Sequence, residues 1–166
     1  MENFLNTVRN RLTTAGFVIT NDISYNGCTF PLVARRLRFS LTKFGFSETF
    51  FIFKKFDRLT TDALRAFSAD AYRCAKKRRA IPLPCGLLES VWCYPVAIAK
   101  SVDGPTLASV RSDTPRKHWA SAEMPVIYDE AQDEPFYFEK TPLWGAAYYA
   151  GHRKQIRRIL PGEATV

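Results

Sequence analysis

The chain has 166 residues and a net charge of +8, with 46% apolar and 24% charged residues. That size and balance describe one globular domain, 1–166, able to bury a core, and they exclude a disordered or low-complexity chain. The charge is uneven: residues 1–79 carry 15 Lys/Arg against 6 Asp/Glu, residues 80–141 carry 5 against 9, and residues 142–166 carry 4 against 1.

Asn3 to Ala15 is expected to be a helix, with Phe4, Leu5, Val8 and Leu12 at helical spacing and Gly16 to end it. A short strand, Phe17 to Asn21, and a turn at Asn26-Gly27 follow. Thr29 to Phe39 is the next strand; Val33, Leu37 and Phe39 face one way, Arg36 and Arg38 the other. Lys43 to Gly45 turns the chain into its most informative stretch. Seven of the 13 phenylalanines lie between Phe39 and Phe56. Phe50, Ile52 and Phe56 fall on one face of that strand, and Thr49, Phe51 and Phe53 on the other. A strand apolar on both faces belongs in the middle of a sheet covered on both sides.

Thr60 or Thr61 caps a helix running to about Arg79, with Leu64, Phe67, Ala71 and Cys74 as its buried stripe and Asp62–Arg65 and Asp70–Arg73 pairs on its surface. The connector IPLPCG leads to the strand VWCYPVAIAK, where Pro95 predicts an edge position or a bulge. Asp103-Gly104-Pro105 starts a short helix to about Arg111. Met124–Tyr128 and Pro135–Glu139 read as a hairpin, and Thr141-Pro142 opens a last helix to Leu160 with Tyr149 and Ile156 on its packed side. The fold class is therefore α/β (or α+β): a single domain, a mixed sheet with a Phe-rich central strand, and helices packed around it.

The chain holds no phosphate-binding glycine motif and no G-x-S-x-G elbow, and no cofactor is expected. Its N-terminus, MENFLNTVRNRL, is too polar for a signal peptide, and the longest uncharged apolar run, Val91 to Ala99, is far short of the ~20 residues of a membrane span. Cys28, Cys74, Cys85 and Cys93 form no C-x-x-C pair and read as reduced, buried thiols, so a cytoplasmic location is expected. Cys85, Cys93 and His118 match no zinc spacing, and no metal site is expected. His152 is expected to be a hydrogen-bonded core residue. His118, five residues before Glu123, is a candidate general base, but the sequence shows no partner arrangement and a polar loop anchored by Trp119 is the preferred account. Asp129, Glu130, Asp133 and Glu134 lack the glycine and glutamate of a calcium loop and read as a solvated hairpin tip.

Two basic clusters, Lys76-Lys77-Arg78-Arg79 and Arg153, Lys154, Arg157, Arg158, close two of the helices, where cations meet the negative end of the dipole. The functional alternative is a nucleic-acid-binding surface to which Arg36 and Arg38 contribute. Tyr72, Trp144 and Tyr148 are available for base stacking, although no RNA-binding motif places them.

The order helix–strand–strand–strand–helix–strand over residues 3–100 is similar to the core of restriction-endonuclease-like (PD-(D/E)XK) domains. Those nucleases carry an aspartate on the second core strand and Glu-x-Lys on the third, to hold Mg²⁺ and activate water. With TFPLVARR and FFIFKK as those strands, Lys54 matches the family lysine, while Pro31 and Ile52 stand where the acids belong. Asp22 and Glu48 are the nearest substitutes, so a divergent nuclease requires Asp22, Glu48 and Lys54 to converge. Without that convergence the resemblance implies an inactive relative kept for binding or scaffolding; residues 101–166 lie outside it. The expected function is non-catalytic association with a macromolecule, either a protein partner or copies of itself through patches among Trp92, Tyr94, Trp144 and Tyr148. Nucleic-acid binding through the basic face and the divergent nuclease are the alternatives.

Overall fold

The Phe-rich strand, Gly45–Leu59, is the spine of the sheet in the computed structural model, which describes residues 2–40, 45–81, 88–141 and 146–162. In chain order the elements are α1 (Glu2–Thr14), β1 (Val18–Tyr25), β2 (Cys28–Ser40), β3 (Gly45–Leu59), α2 (Thr61–Lys77) and β4 (Glu89–Val102). These are followed by α3 (Gly104–Ser112), β5 (Lys117–His118), β6 (Ser121–Glu123), β7 (Val126–Asp129), β8 (Glu134–Tyr137) and α4 (Ala146–Ile159). All eight strands join one mixed sheet in the order β1-β2-β3-β4-β6-β5, with β7 beside β4 and β8 beside β7. β1, β2 and β3 form an antiparallel meander, and α2 carries the crossover that returns β4 parallel to β3. The fold is a single α/β domain, as the sequence pattern predicts.

Phe50, Phe51, Ile52 and Phe53 are fully buried, so both faces of β3 are covered. Phe51 and Phe53 pack with α1 and α4, through Phe4, Val8, Leu12, Tyr149 and Ile156. Phe50 and Ile52 pack with α2 and α3, through Leu64, Phe67, Ala71, Cys74 and Val110. Each large side chain buried this way stabilises the fold by about 1.5–3 kcal/mol. The result is two cores separated by one sheet.

Local signals fix the boundaries. At the end of α1, Gly16 adopts φ +80 while its N–H reaches the Thr13 carbonyl and the Phe17 N–H reaches that of Leu12, the paired bonds of a glycine helix stop. Asn26 and Gly27 both take positive φ (51° and 76°) in the two-residue hairpin turn between Tyr25 and Cys28. The Thr60 hydroxyl accepts the Ala63 N–H at 3.3 Å to start α2, and Asp103 accepts the Thr106 N–H at 2.8 Å to start α3. Gly45 has a packing reason, since a Cβ there would lie 2.8 Å from the Leu88 carbonyl oxygen. Asp70 and Arg73 pair at 3.0 Å, whereas Arg65 turns instead toward Asp113 at 3.9 Å.

Several expectations change. Pro95 lies neither at an edge nor in a bulge: β4 is flanked by β3 on one side and by β6 and β7 on the other. The Met124 N–H donates to the Cys93 carbonyl, so Pro95, two residues on, turns the same backbone edge toward β6 and β7. The β6 ladder ends at Cys93↔Glu123 and the β7 ladder begins at Val96↔Val126, so the missing proline N–H falls where Met124-Pro125 interrupts pairing. Asp129 is buried rather than solvated; its carboxylate accepts the Ala131 N–H at 2.9 Å and Gln132 Nε2 at 2.7 Å, fastening the β7–β8 turn. Trp119 anchors nothing at 81% exposure, because it sits with Ala120 in the two-residue turn between His118 and Ser121. The turn before Gly45, the connector from Pro82 to Gly86 with Cys85, and Pro142 to Trp144 lie outside the described residues.

One further irregularity shapes the meander. Ile19 and Leu32 belong to the α1/α4 core, whereas Ile23 and Phe30 belong to the α2/α3 core. Strict alternation would keep each pair on one face. The switch occurs at Asp22, whose φ is 50°, opposite Pro31. No helix among the described residues is long and apolar enough to cross a membrane.

Phe51 stacks on Tyr94 at 4.5 Å and meets Phe17 edge-on at 5.6 Å. Phe51→Ala is therefore expected to cost about 3–5 kcal/mol, read as a lower midpoint in urea unfolding. A loss under 1 kcal/mol would contradict a closely packed α1/α4 core.

Candidate nucleic-acid interface

The three residues a nuclease would need do not meet. Glu48 and Lys54 are six positions apart on β3, about 20 Å along an extended strand, whereas a shared Mg²⁺ needs oxygen ligands at about 2 Å. Lys54 is half-buried, donates to Cys28 Sγ at 3.4 Å and lies over the Phe56 ring. Asp22 is exposed on β1, Pro31 stands opposite it, and Ile52 is deep in the α2/α3 core. Among the described residues no three His, Cys, Asp or Glu side chains gather as an ion site.

The sheet also divides the basic residues. Lys76, Lys77, Arg78 and Arg79 close α2 on one side. Arg36 lies on the other, its Nη1 donating to the Ala15 carbonyl at 2.9 Å and its guanidinium 4.4 Å above the Phe17 ring. Burial first, then the nearby charges of Arg38 and Arg158, hold Arg36 below the usual arginine pKa. Arg11, in the last turn of α1, donates to the Leu160 carbonyl at 3.0 Å just past α4, so the ends of the two helices meet here. Arg153 donates to the carbonyls of Glu139 and Lys140 and to the Thr141 hydroxyl.

The distribution of acids is the other half of this geometry. The pairs Arg35–Glu48, Arg65–Asp113, Arg73–Asp70, Arg79–Glu89, Arg111–Glu139 and His118–Glu123 belong to the α2/α3 side, and Lys100–Asp57 joins the ends of β4 and β3. Among the described residues none of Arg36, Arg38, Arg153, Lys154, Arg157 and Arg158 has a carboxylate partner. Sequence runs point to the α4 cluster, but they miss Arg11, which with Arg9 makes only a sparse pair in α1.

The aromatic expectations need correction. Tyr94 is buried and its hydroxyl bonds to His152 Nδ1; Trp92 is half-buried and donates to Ser47 Oγ at 3.0 Å. Two positions apart on β4, the rings share one face, and both pack against His152 of α4. Tyr72 is buried too, stacked on the His118 ring at 4.2 Å. None of the three offers a free stacking surface. Trp144 and the side chain of Tyr148 lie outside the described residues. His152 is the hydrogen-bonded core residue expected.

Two members of the α2 cluster are structural. Arg79 pairs with the buried Glu89 at 2.6 Å, and the Arg78 carbonyl accepts from Arg35 at 3.2 Å. Glu48 takes the Ala80 N–H on both oxygens, at 2.9 and 3.1 Å, and lies 3.6 Å from Arg35 Nε. Burial raises the Glu48 pKa; the Ala80 N–H and Arg35 oppose this, and the adjoining Glu89 carboxyl adds to it. Glu89 Oε1 is buried with no donor, a position that a proton on Glu48 would satisfy.

A carboxyl whose pKa rises on folding contributes stability below its unfolded pKa, and that contribution is lost as pH rises through the folded value. Glu48→Gln keeps an acceptor for Ala80 and supplies a permanent donor for Glu89. It should melt at a higher temperature than the parent at pH 8, with the gap closing toward pH 4. A lower melting temperature at pH 8 would contradict this reading of the cluster.

Among known proteins, no family model, no curated protein and no solved structure matches the chain.

Proposed function

We propose that this is a non-catalytic nucleic-acid-binding protein that holds a phosphate backbone against the face built from β2 and the ends of α1 and α4. The observation that carries this reading is that Arg36 lies under the charges of Arg38 and Arg158, brought from a strand and a helix end, and that none of the three has a carboxylate partner among the described residues. A polyanion on that face would relieve their mutual repulsion and release counterions. Helix-end cations explain some of this charge, since Arg157 and Arg158 close α4 and Arg36 reaches the Ala15 carbonyl at the end of α1, but Arg38 comes from a strand and makes no such bond among the described residues. The element order shared with restriction-endonuclease-like cores supports the same reading, with the binding role retained and the acids absent. The free thiols of Cys28, Cys74 and Cys93 fit a reducing, cytoplasmic setting.

A second reading, association with a protein partner or a second copy, is favoured by Trp119, whose exposed indole is the kind of group that dominates interfaces. Sedimentation at tens of micromolar would show self-association that Trp119→Ser abolishes without changing the melting temperature. A monomer at all concentrations would remove self-association.

The leading reading is tested by fluorescence anisotropy with labelled single- and double-stranded DNA and RNA at ~50 and ~200 mM salt, where several phosphate contacts imply losses of orders of magnitude. Arg38→Glu with Arg158→Glu should abolish binding or lower the salt slope by about 2. Lys76→Glu with Lys77→Glu, the same change in net charge on the opposite side, should leave it nearly unchanged. Equal effects from both pairs, or no binding at ~50 mM salt, would refute a defined face.

A further inference from the structure

Across the sheet from the basic face, a cleft of about 280 Å³ opens between α2, the end of α3 and the segment from Asp113 to Arg116, with Glu123 and Pro125 reaching it from the sheet. Leu64, Val110, Pro115 and Pro125 contribute apolar walls, and Ser68 and Glu123 also line it.

Glu123 is only 3% exposed and is held on both oxygens. Oε2 accepts the Ser68 hydroxyl at 2.8 Å, and Oε1 lies 2.7 Å from His118 Nε2. The His118 ring is stacked on Tyr72, whose hydroxyl bonds to Ser121 Oγ at 2.5 Å, and the Glu123 N–H donates to the Arg116 carbonyl at 3.0 Å. A carboxylate has about four acceptor positions, so about two remain for a ligand. At the mouth stand two exposed guanidiniums. Arg65 has only Asp113 at 3.9 Å, both side chains being largely solvated, and Arg116 has no ion pair among the described residues. The cleft is thus negative at its floor, apolar along its walls and positive at its rim.

We infer that this cleft binds a small zwitterionic amino compound, its ammonium group on Glu123 and its carboxylate toward Arg116 and Arg65. The walls take the methylene chain between the two charged ends. Ser68 and His118 hold the carboxylate in place before the ligand arrives, so little reorganisation opposes binding. The cleft lies on the other side of the sheet from the basic face and stands independently of it.

The test is a ¹H–¹⁵N titration of the full chain with unbranched amino acids from glycine to 6-aminohexanoate, alongside pentylamine and pentanoate. One chain length should give saturable shifts at Ser68, Val110 and Thr114, with each methylene that reaches the walls tightening binding up to about fourfold. The single-charge probes should bind at least about tenfold more weakly, the loss of one charge-assisted contact. Glu123→Gln should abolish the shifts. Arg116→Ala, at an exposed position that keeps the fold, should weaken the zwitterion several-fold, and Arg65→Ala with Arg116→Ala should reduce it to the affinity of pentylamine. No saturable shift at any length, or undiminished binding to Arg116→Ala, overturns the inference.

Discussion

Four consecutive apolar residues of β3, Phe50 to Phe53, are fully buried and leave no face of that stretch for water, and the remaining architecture answers to this constraint. Phe51 and Phe53 demand cover from one side, which α1 and α4 supply. Phe50 and Ile52 demand it from the other, which falls to α2 and α3. β4 must then return parallel to β3 rather than beside it as a hairpin, because the covering helix α2 occupies the connection between them. Two helical layers and a mixed sheet follow from one apolar run.

The same partition sorts the charges. Glu48, Glu89 and Glu123 are all buried, and all three turn toward the α2/α3 side, where Arg35, Arg79 and His118 meet them. Burying carboxylates requires partners, so Arg35, Arg79 and His118 are held in structural pairs there, while Lys76, Lys77 and Arg116 have no ion pair among the described residues. The α1/α4 side has no such acids, and its arginines turn to backbone carbonyls and to each other. Where the buried acids point thus decides which arginines are held in structural pairs, and chain-wide charge counting does not reveal it.

Periodicity made much of the fold legible. The α2 stripe, the Asn26-Gly27 turn, the Asp103 cap and the two-faced character of β3 each depend on residues within a few positions of one another. What stayed hidden depends on distant partners. Pro95 looks like an edge residue because its excuse, the interruption at Pro125, lies thirty positions away on another strand. β5 and β6 are too short to show any alternation. Glu123 gave no signal because Ser68 comes from another helix, although its nearness to His118 was visible. The basic clusters were readable as runs, but their separation by the sheet was not, since two helix ends of like composition look alike whichever layer they join.

The β1–β2 hairpin changes sides partway along, at Asp22 and Pro31. Its near half is cemented into one core through Ile19 and Leu32, and its far half into the other through Ile23 and Phe30. Val33 of β2 already lies in the α2/α3 core between Leu32 and Ala34 of the other, and the switch adds Ile23 and Phe30 to that second attachment. Here neither layer can detach without tearing the same two strands, so the helices on the two sides are coupled mechanically through a meander at the margin of the sheet. Native-state hydrogen exchange in α1 and α2 should accordingly report one shared opening event rather than two.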